Sequence, residues 1–253
     1  MTKIFAHRGS KGTHPENTLA AFAESVRIDV DGIELDVQVT KDGQVVVLHD
    51  ETINRTTNGK GRVIDQTLRE LKAVDAGGWF SLHYEHEPIP TLTEVLDLLA
   101  ELKYQGILTI ELKTDQIDYY PQIEEKVVQL THAKNWPFTV TYSSFNLLTL
   151  QRLHEIDPVT PKAWVTIGSV VTVAFANYFT VVNRIDANFA WFIQSELELA
   201  DLDKDVCPFT VNSEPEMWMC FERHVYGFHT DYPEQALALR KRYEREQLSI
   251  ASV

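Results

Sequence analysis

The sequence predicts an α/β fold of the (β/α)8 TIM-barrel type, with a small insertion after the second strand. Three observations predict it. Short β-rich runs alternate with amphipathic helical stretches, the pattern of a parallel sheet wrapped by helices. The β-rich runs number eight, the count that a closed barrel requires. The length, 253 residues, is that of one barrel, and no repeat, low-complexity run or linker divides it, so residues 1–253 are expected to form a single domain.

The predicted strands are Ile4–His7, Gly32–Val39, Gly106–Lys113, Phe138–Ser143, Lys162–Ile167, Arg184–Ala190, Val206–Val211 and Gly227–Thr230. Asp186 and Asn188 are poor strand formers inside the sixth of these. Helix starts are marked by their own chemistry. Thr91-Leu92-Thr93-Glu94 and Ser213-Glu214-Pro215-Glu216 read as capping boxes, the second with Pro215 in the first turn, where its missing N–H costs little. Leu92, Val95, Leu96, Leu99 and Leu102 form one apolar stripe at helical spacing, as do Leu19, Phe22 and Val26. Between Asp50 and Pro90 the connection is about twice the usual length and rich in Thr, Asn, Gly and aromatics. This segment, about residues 50–90, is expected to be the insertion and to cover part of the site.

Charge and composition narrow the partners. The formal net charge of −14 argues against nucleic acid or an anionic membrane as a partner. No apolar run approaches the ~20 residues that span a bilayer, so stable membrane insertion is not expected. The start lacks a secretory apolar region, which makes a cytoplasmic location the expectation. Cys207 and Cys220 fit neither a disulfide framework nor a zinc pattern and read as reduced core residues.

Four strand ends carry ionisable groups. Ala6-His7-Arg8-Gly9 closes the first strand, at the barrel end where active sites form. In Gly32-Ile33-Glu34-Leu35-Asp36-Val37-Gln38-Val39 the alternation puts Glu34 and Asp36 on one face and Ile33, Leu35 and Val37 on the other. Two confined carboxylates repel, so one takes a proton, or a metal or basic side chain neutralises the pair. Val45-Val46-Val47-Leu48-His49-Asp50 is an apolar run that delivers His49 and then Asp50. Leu108-Thr109-Ile110-Glu111-Leu112-Lys113 sets Glu111 and Lys113 on one face. Each group alone has an inert explanation, such as a core histidine or a buried ion pair. Four strand ends bearing such groups together do not.

The strings His7-Arg8-Gly9, Pro15-Glu16-Asn17-Thr18, Glu34-Leu35-Asp36, Lys41-Asp42-Gly43, His49-Asp50, Arg55-Thr56-Thr57-Asn58-Gly59, Ile89-Pro90-Thr91-Leu92 and Glu111-Leu112-Lys113 occur in this order, followed by Thr210-Val211-Asn212 and Thr230-Asp231-Tyr232-Pro233. In order and spacing they resemble the glycerophosphodiester phosphodiesterase family. The likeness runs over nearly the whole chain, strongest over residues 4–113 and thinner over 150–205.

The resemblance implies metal-dependent hydrolysis of a small-molecule glycerophosphodiester to glycerol 3-phosphate and an alcohol. It implies that Glu34, Asp36 and Glu111 hold one divalent cation, and three hard oxygen donors suit Mg2+ or Ca2+. It implies that Arg8 and Lys113 bind the phosphate, and that His7 and His49 act as acid and base on either side of phosphorus. Either histidine could take either role, and attack could come from water or from a substrate hydroxyl. Asp50 and Asp231 are expected to support the site from behind or to structure a loop, and Glu16 and Asn17 to brace the first loop and helix start. The other histidines, His229 among them, are expected to be non-catalytic. The chain departs from the family at Phe209, where a Trp usually lines the substrate pocket, and over the aromatic-rich Trp164–Asn188, which would form a different leaving-group pocket. Two readings compete: a lipid phosphodiesterase of the phospholipase-D-like or phosphatidylinositol-phospholipase type, and a non-catalytic phosphodiester-binding barrel. The sequence leaves the oligomeric state open.

Overall fold

A computed structural model describes residues 1–114, 122–168, 175–194 and 202–251. Among them the strands are β1 (Lys3–Ala6), β2 (Gly32–Val39), β3 (Val45–Val47), β4 (Ile107–Leu112), β5 (Thr139–Ser144), β6 (Lys162–Thr166), β7 (Arg184–Ala187), β8 (Asp205–Val206) and β9 (Gly227–Thr230). The helices are α1 (Leu19–Arg27), α2 (Leu68–Leu71), α3 (Leu92–Glu101), α4 (Ile123–Thr131), α5 (Leu147–Ile156), α6 (Phe189–Gln194), α7 (Glu214–Glu222) and α8 (Pro233–Ala251).

Eight strands pair in parallel in the order β8-β7-β6-β5-β4-β2-β1-β9, and β3 pairs antiparallel with β2 outside that path. The two ends of the sheet meet. Tyr226 N donates to Val206 O, His229 N to Pro208 O and Val211 N to His229 O, which brings β9 against the segment leaving β8. The result is a nearly closed TIM barrel. Its strands carry apolar residues on the helix-facing side, such as Ile33, Leu35 and Val37, which join the main core with residues of α1 and α3. The barrel interior is more polar.

Local chemistry accounts for most boundaries. Thr18 caps α1 by accepting from Ala21 N, and both expected capping boxes form, at Thr91/Glu94 and Ser213/Glu216. A third, Thr67/Glu70, starts α2. The α3 stripe is buried as far as Leu99, but Leu102 lies past the helix end and is exposed.

Two expected strands end early. Asn188 still donates its N–H to Thr166 O and bridges Phe209, but its side chain accepts from Trp191 N and starts α6, so β7 stops at Ala187 instead of Ala190. The strand expected over Val206–Val211 shrinks to Asp205–Val206 because Pro208 lacks the N–H that a regular ladder needs. Bonds on either side of that proline, from Cys207 N to Ile185 O and from Phe209 N to Ala187 O, keep the segment on course.

The insertion after β2 begins as a hairpin. β3 returns along β2 with Val47 opposite Val37, and the chain then loops out through α2 over a small core of its own, built on Val46, Leu48, Ile53, Val63, Leu71 and Ile89. Both cysteines are free and buried, and among the described residues no helix is long and apolar enough to cross a membrane.

Candidate active site

The ladder itself assembles the acidic group. Register puts Asp36 on β2 beside Glu111 on β4, and the two-residue alternation brings Glu34 to the same face. Carboxylate oxygens of Glu34, Asp36 and Glu111 all lie within 4.8 Å of one another, and all three residues are buried. Lys113 Nζ reaches Glu111 Oε1 at 2.6 Å and Asp36 Oδ1 at 3.5 Å.

Arg8 holds the other side of the acids. Its φ of 55° is a left-handed backbone that costs a non-glycine residue about 1–3 kcal/mol. That turn aims its N–H at Glu34 Oε2 (2.9 Å) and sets its Nε 3.3 Å from Asp36 Oδ2. Gly9 follows with φ 78° and touches α1 so closely that a Cβ there would lie 2.8 Å from the Ala21 Cβ. The His-Arg-Gly string is thus a turn that only this glycine completes.

The two histidines are each held by a carboxylate. His7 Nδ1 lies 2.7 Å from Asp231 Oδ1, and His49 Nδ1 lies 2.7 Å from Asp50 Oδ1. Each pairing leaves Nε2 as the ring nitrogen for a substrate. His7 is brought in by β1, its N–H bonded to Thr230 O at the start of the turn that carries Asp231. His49 follows β3 and is tethered by Gln38, whose Nε2 donates to the carbonyls of Leu48 and His49, both at 3.1 Å.

Electrostatics distinguish the groups. Burial, then the neighbouring Asp36 and Glu111 carboxylates, push the Glu34 carboxyl well above its usual range. Burial would raise Asp36 too, but Arg8, Lys113, His49 and the Asn17 amide outweigh it and hold Asp36 low. Burial lowers His7 to about 4 against the opposing bond from Asp231, and it lowers His49 as well.

One cleft of about 150 Å3 joins these groups. His7, Arg8, Glu34, His49, Glu111, Lys113 and Phe209, all singled out from the sequence, line it. Asp36, 1% exposed, sits directly behind its two carboxylate neighbours. The far wall adds Ser143, Phe145, Val165, Asp186, Thr210 and His229. Among the described lining residues none comes from 51–90; that segment instead braces the site from the side. Arg55 grips both oxygens of Asp50 (2.7 and 2.9 Å) and both of Glu16 (2.9 and 2.8 Å), and Glu16 in turn receives Arg8 Nη1 at 2.8 Å. Of the aromatic-rich stretch Trp164–Asn188, residues 169–174 lie outside the described residues.

Sequence reasoning missed three contacts. Asn17 donates to Asp36 Oδ2 at 2.8 Å, so it orients a site acid as well as bracing a loop. Arg55 belonged to a matching string but carried no role. Asp186 and His229 reach the cleft from strands whose motifs gave no signal. Asp50 and Asp231 each bond an imidazole, a pairing that the sequence left open beside a loop-structuring role.

The profile of the Glycerophosphoryl diester phosphodiesterase family matches residues 7–235. The chain belongs to this family. It is an enzyme of the phosphoric diester hydrolase class. A glycerophosphodiester phosphodiesterase of Bacillus altitudinis is 39% identical over 249 residues, covering 95% of this chain and 99% of the relative. One from Caldanaerobacter subterraneus subsp. tengcongensis is 38% identical over 244 residues, 94% and 97% of the two chains. Among solved structures, an Oleispira antarctica phosphodiesterase in complex with the product sn-glycerol-3-phosphate superposes with a TM-score of 0.82 at 26% identity, over 95% of this chain and 97% of that one. A Thermotoga maritima glycerophosphodiester phosphodiesterase shares the fold with a TM-score of 0.71 at 24% identity, over 94% and 98%.

Proposed function

We propose that the chain, acting as one barrel domain, hydrolyses glycerophosphodiesters to glycerol 3-phosphate and an alcohol, with His7 and His49 as acid and base and a divalent cation, Mg2+ or Ca2+, held by Glu34, Asp36 and Glu111. The observation that carries this reading is convergence: two carboxylate-held imidazoles, three clustered acids and the cations Arg8 and Lys113 share one cleft.

The acids fit a hard cation on their own chemistry. All the donors are oxygens, they lie within 4.8 Å of one another, a separation that one coordination shell can span, and Arg8 and Lys113 leave the Glu34 carboxyl short of compensating charge. A cation bound there would polarise a phosphoryl oxygen and offset its charge. Arg8 and Lys113 bind the other phosphate oxygens and supply the local positive potential that a chain of net charge −14 otherwise lacks.

Proton transfer belongs to the histidines. One imidazole takes the proton of the attacking oxygen as the new P–O bond forms, and the other gives a proton to the alcohol oxygen as the old P–O bond breaks. Asp231 and Asp50 fix each ring and stabilise its charged form. Phe209 gives the cleft an apolar wall for the substrate's carbon chain. The substrate is a small molecule, and the acidic surface disfavours nucleic acid. Two free, buried thiols suit the reducing cytoplasm, where we place the enzyme.

A coupled assay for released glycerol 3-phosphate, run across several headgroups with Mg2+ and Ca2+ in turn, tests this. Turnover that stops on chelation and returns with either ion is expected. No release from any glycerophosphodiester sinks the reading.

A further inference from the structure

We infer that Glu16 is a positioning residue that sets the phosphate-binding Arg8 and the proton-transferring His49 together, and that the insertion after β2 serves the site by supplying Arg55, the link from Glu16 to His49. The inference rests on the proposed function, which gives Arg8 and His49 their work, and adds to it the groups that tie one to the other.

One unbroken run of charge-assisted bonds joins Arg8 to His49. Arg8 Nη1 donates to Glu16 Oε1 at 2.8 Å. Arg55 donates to the same oxygen from Nη2 at 2.8 Å and to Oε2 from Nη1 at 2.9 Å. Its Nε and Nη2 also reach the two oxygens of Asp50, at 2.7 and 2.9 Å, and Asp50 Oδ1 lies 2.7 Å from His49 Nδ1. A single guanidinium thus spans two carboxylates, a fork that a lysine ammonium cannot reproduce. The Arg55 side chain is 44% exposed, where an isolated ion pair is worth little, but bidentate bonds in a network hold a fixed geometry.

The strands alone do not set Arg8 against His49. Arg8 and Glu16 lie in the connection between β1 and α1, and His49 and Asp50 lie just after β3. β1 and β3 each pair with β2 and not with each other, so no ladder bond runs from one segment to the other. Glu16 and Arg55 make that link. Among the described residues that line the cleft neither of them appears, and the Glu16 side chain is 3% exposed. Each therefore acts through the groups it holds. Arg55 is anchored close to Ile53, which belongs to the small core of the insertion with Val63 and Leu71.

Simpler roles for Glu16 predict different results. A carboxylate that only lowers the local potential opposes an anion, so its removal would tighten phosphate binding. A carboxylate that only holds the fold would change stability and leave both phosphate affinity and kcat near their original values.

Steady-state kinetics on a glycerophosphodiester, together with calorimetric titration by inorganic phosphate, separate these roles on the full-length, Mg2+-loaded protein. Glu16→Gln should lower kcat by about 10–100-fold, the usual effect of losing a group that orients a functional side chain. It should also weaken phosphate binding by about tenfold, the worth of one charge-assisted bond. Arg55→Lys keeps the charge but loses the fork, so it should lower kcat similarly while phosphate affinity stays within about twofold, the Arg8–Glu16 bond being retained. Glu16→Gln combined with Asp50→Asn should lower kcat by less than the product of the single effects, because both interrupt the same run. Unchanged or tighter phosphate binding by Glu16→Gln, full activity in Arg55→Lys, or multiplicative kcat effects each overturn the inference. If thermal unfolding shows that Glu16→Gln does not fold, Glu16→Asp takes its place: it keeps the charge but is one methylene too short to hold both arginines, and the same losses are expected. If the unaltered protein releases no glycerol 3-phosphate, the proposed reaction fails by itself, and phosphate titration still decides the Arg8 half of the inference.

Discussion

The two histidines of the cleft are the same chemical unit built in two ways. His7–Asp231 and His49–Asp50 each hold an imidazole Nδ1 2.7 Å from a carboxylate. The first pair joins residues 224 positions apart and exists only because β1 pairs with β9, the first strand with the last. The second joins neighbours in sequence and depends on a hairpin, the Gln38 tether and Arg55 reaching in from the insertion. Their exposure differs accordingly: side-chain values are 13% for His7 and 29% for His49. Pairing of the first and last strands buries one imidazole deeply, whereas a braced loop leaves the other nearer the solvent.

The largest effect tests whether the two units share the work. His7→Ala and His49→Ala should each lower kcat by about 10²–10⁴, the usual worth of a positioned acid or base. Thermal unfolding should stay close to that of the unaltered protein. Near-normal turnover in either variant would show that only one imidazole moves a proton.

Removing the supports comes next in size. Asp231→Asn and Asp50→Asn should each cost about 10–100-fold in kcat, as groups that orient a functional ring commonly do. Arg55→Ala should resemble Asp50→Asn more than Asp231→Asn, because Arg55 grips Asp50 and Glu16 on the His49 side of the cleft. The comparison breaks if steady-state kinetics place Arg55→Ala with Asp231→Asn, or find it silent.

How far this contrast could be read in advance follows from the range of the interactions involved. Period-two alternation in Gly32–Val39 was enough to put Glu34 and Asp36 on one face, because strand geometry is local. Capping boxes at Thr91 and Ser213 were legible for the same reason, and the Thr67 box was written just as clearly at the head of a helix only four residues long. The His49–Asp50 bond could be guessed from adjacency. By contrast, β3 as an antiparallel return strand, the grip of Arg55 on Glu16, and the bonds of Asp186 to Arg184 and His229 depend on register and closure. No local pattern encodes those. Asn188 reads as a poor strand residue and Pro208 sits inside the strand expected over Val206–Val211, yet their effect on β7 and β8 depends on which partner strand lies alongside.

A smaller effect concerns stability. Glu16 accepts from Arg8 and Arg55, and those cations outweigh burial to hold its carboxyl at about 2, below its ordinary value near 4.5. A depressed folded value means that the stabilisation is fully present above the unfolded pKa and is lost as pH falls through the folded one. Urea unfolding should therefore show Glu16→Gln less stable than the unaltered protein at neutral pH. The two curves should converge as pH falls from about 4.5 toward 2. A gap that stays constant across that window would mean the variant acts through packing instead of charge.

The smallest expected effect concerns the wall between the two histidine units and the far side of the cleft. Phe209 meets the Phe145 ring edge to face, with centroids 6.2 Å apart. Phe209→Trp adds an indole N–H and a larger face to that wall. Aromatic contacts of this kind are worth about 0.5–1.5 kcal/mol, so KM for a glycerophosphodiester should move by less than about tenfold. kcat should hold, because neither Asp231 nor Asp50 is among the residues that line the cleft with Phe209. A change confined to KM would identify Phe209 as a substrate wall that serves both histidines equally. A hundredfold fall in kcat would mean instead that the Phe209–Phe145 pair positions Lys113, whose Nζ lies 5.6 Å from the Phe145 ring centre, and that the phosphate-binding cation depends on aromatic packing from the far side of the barrel.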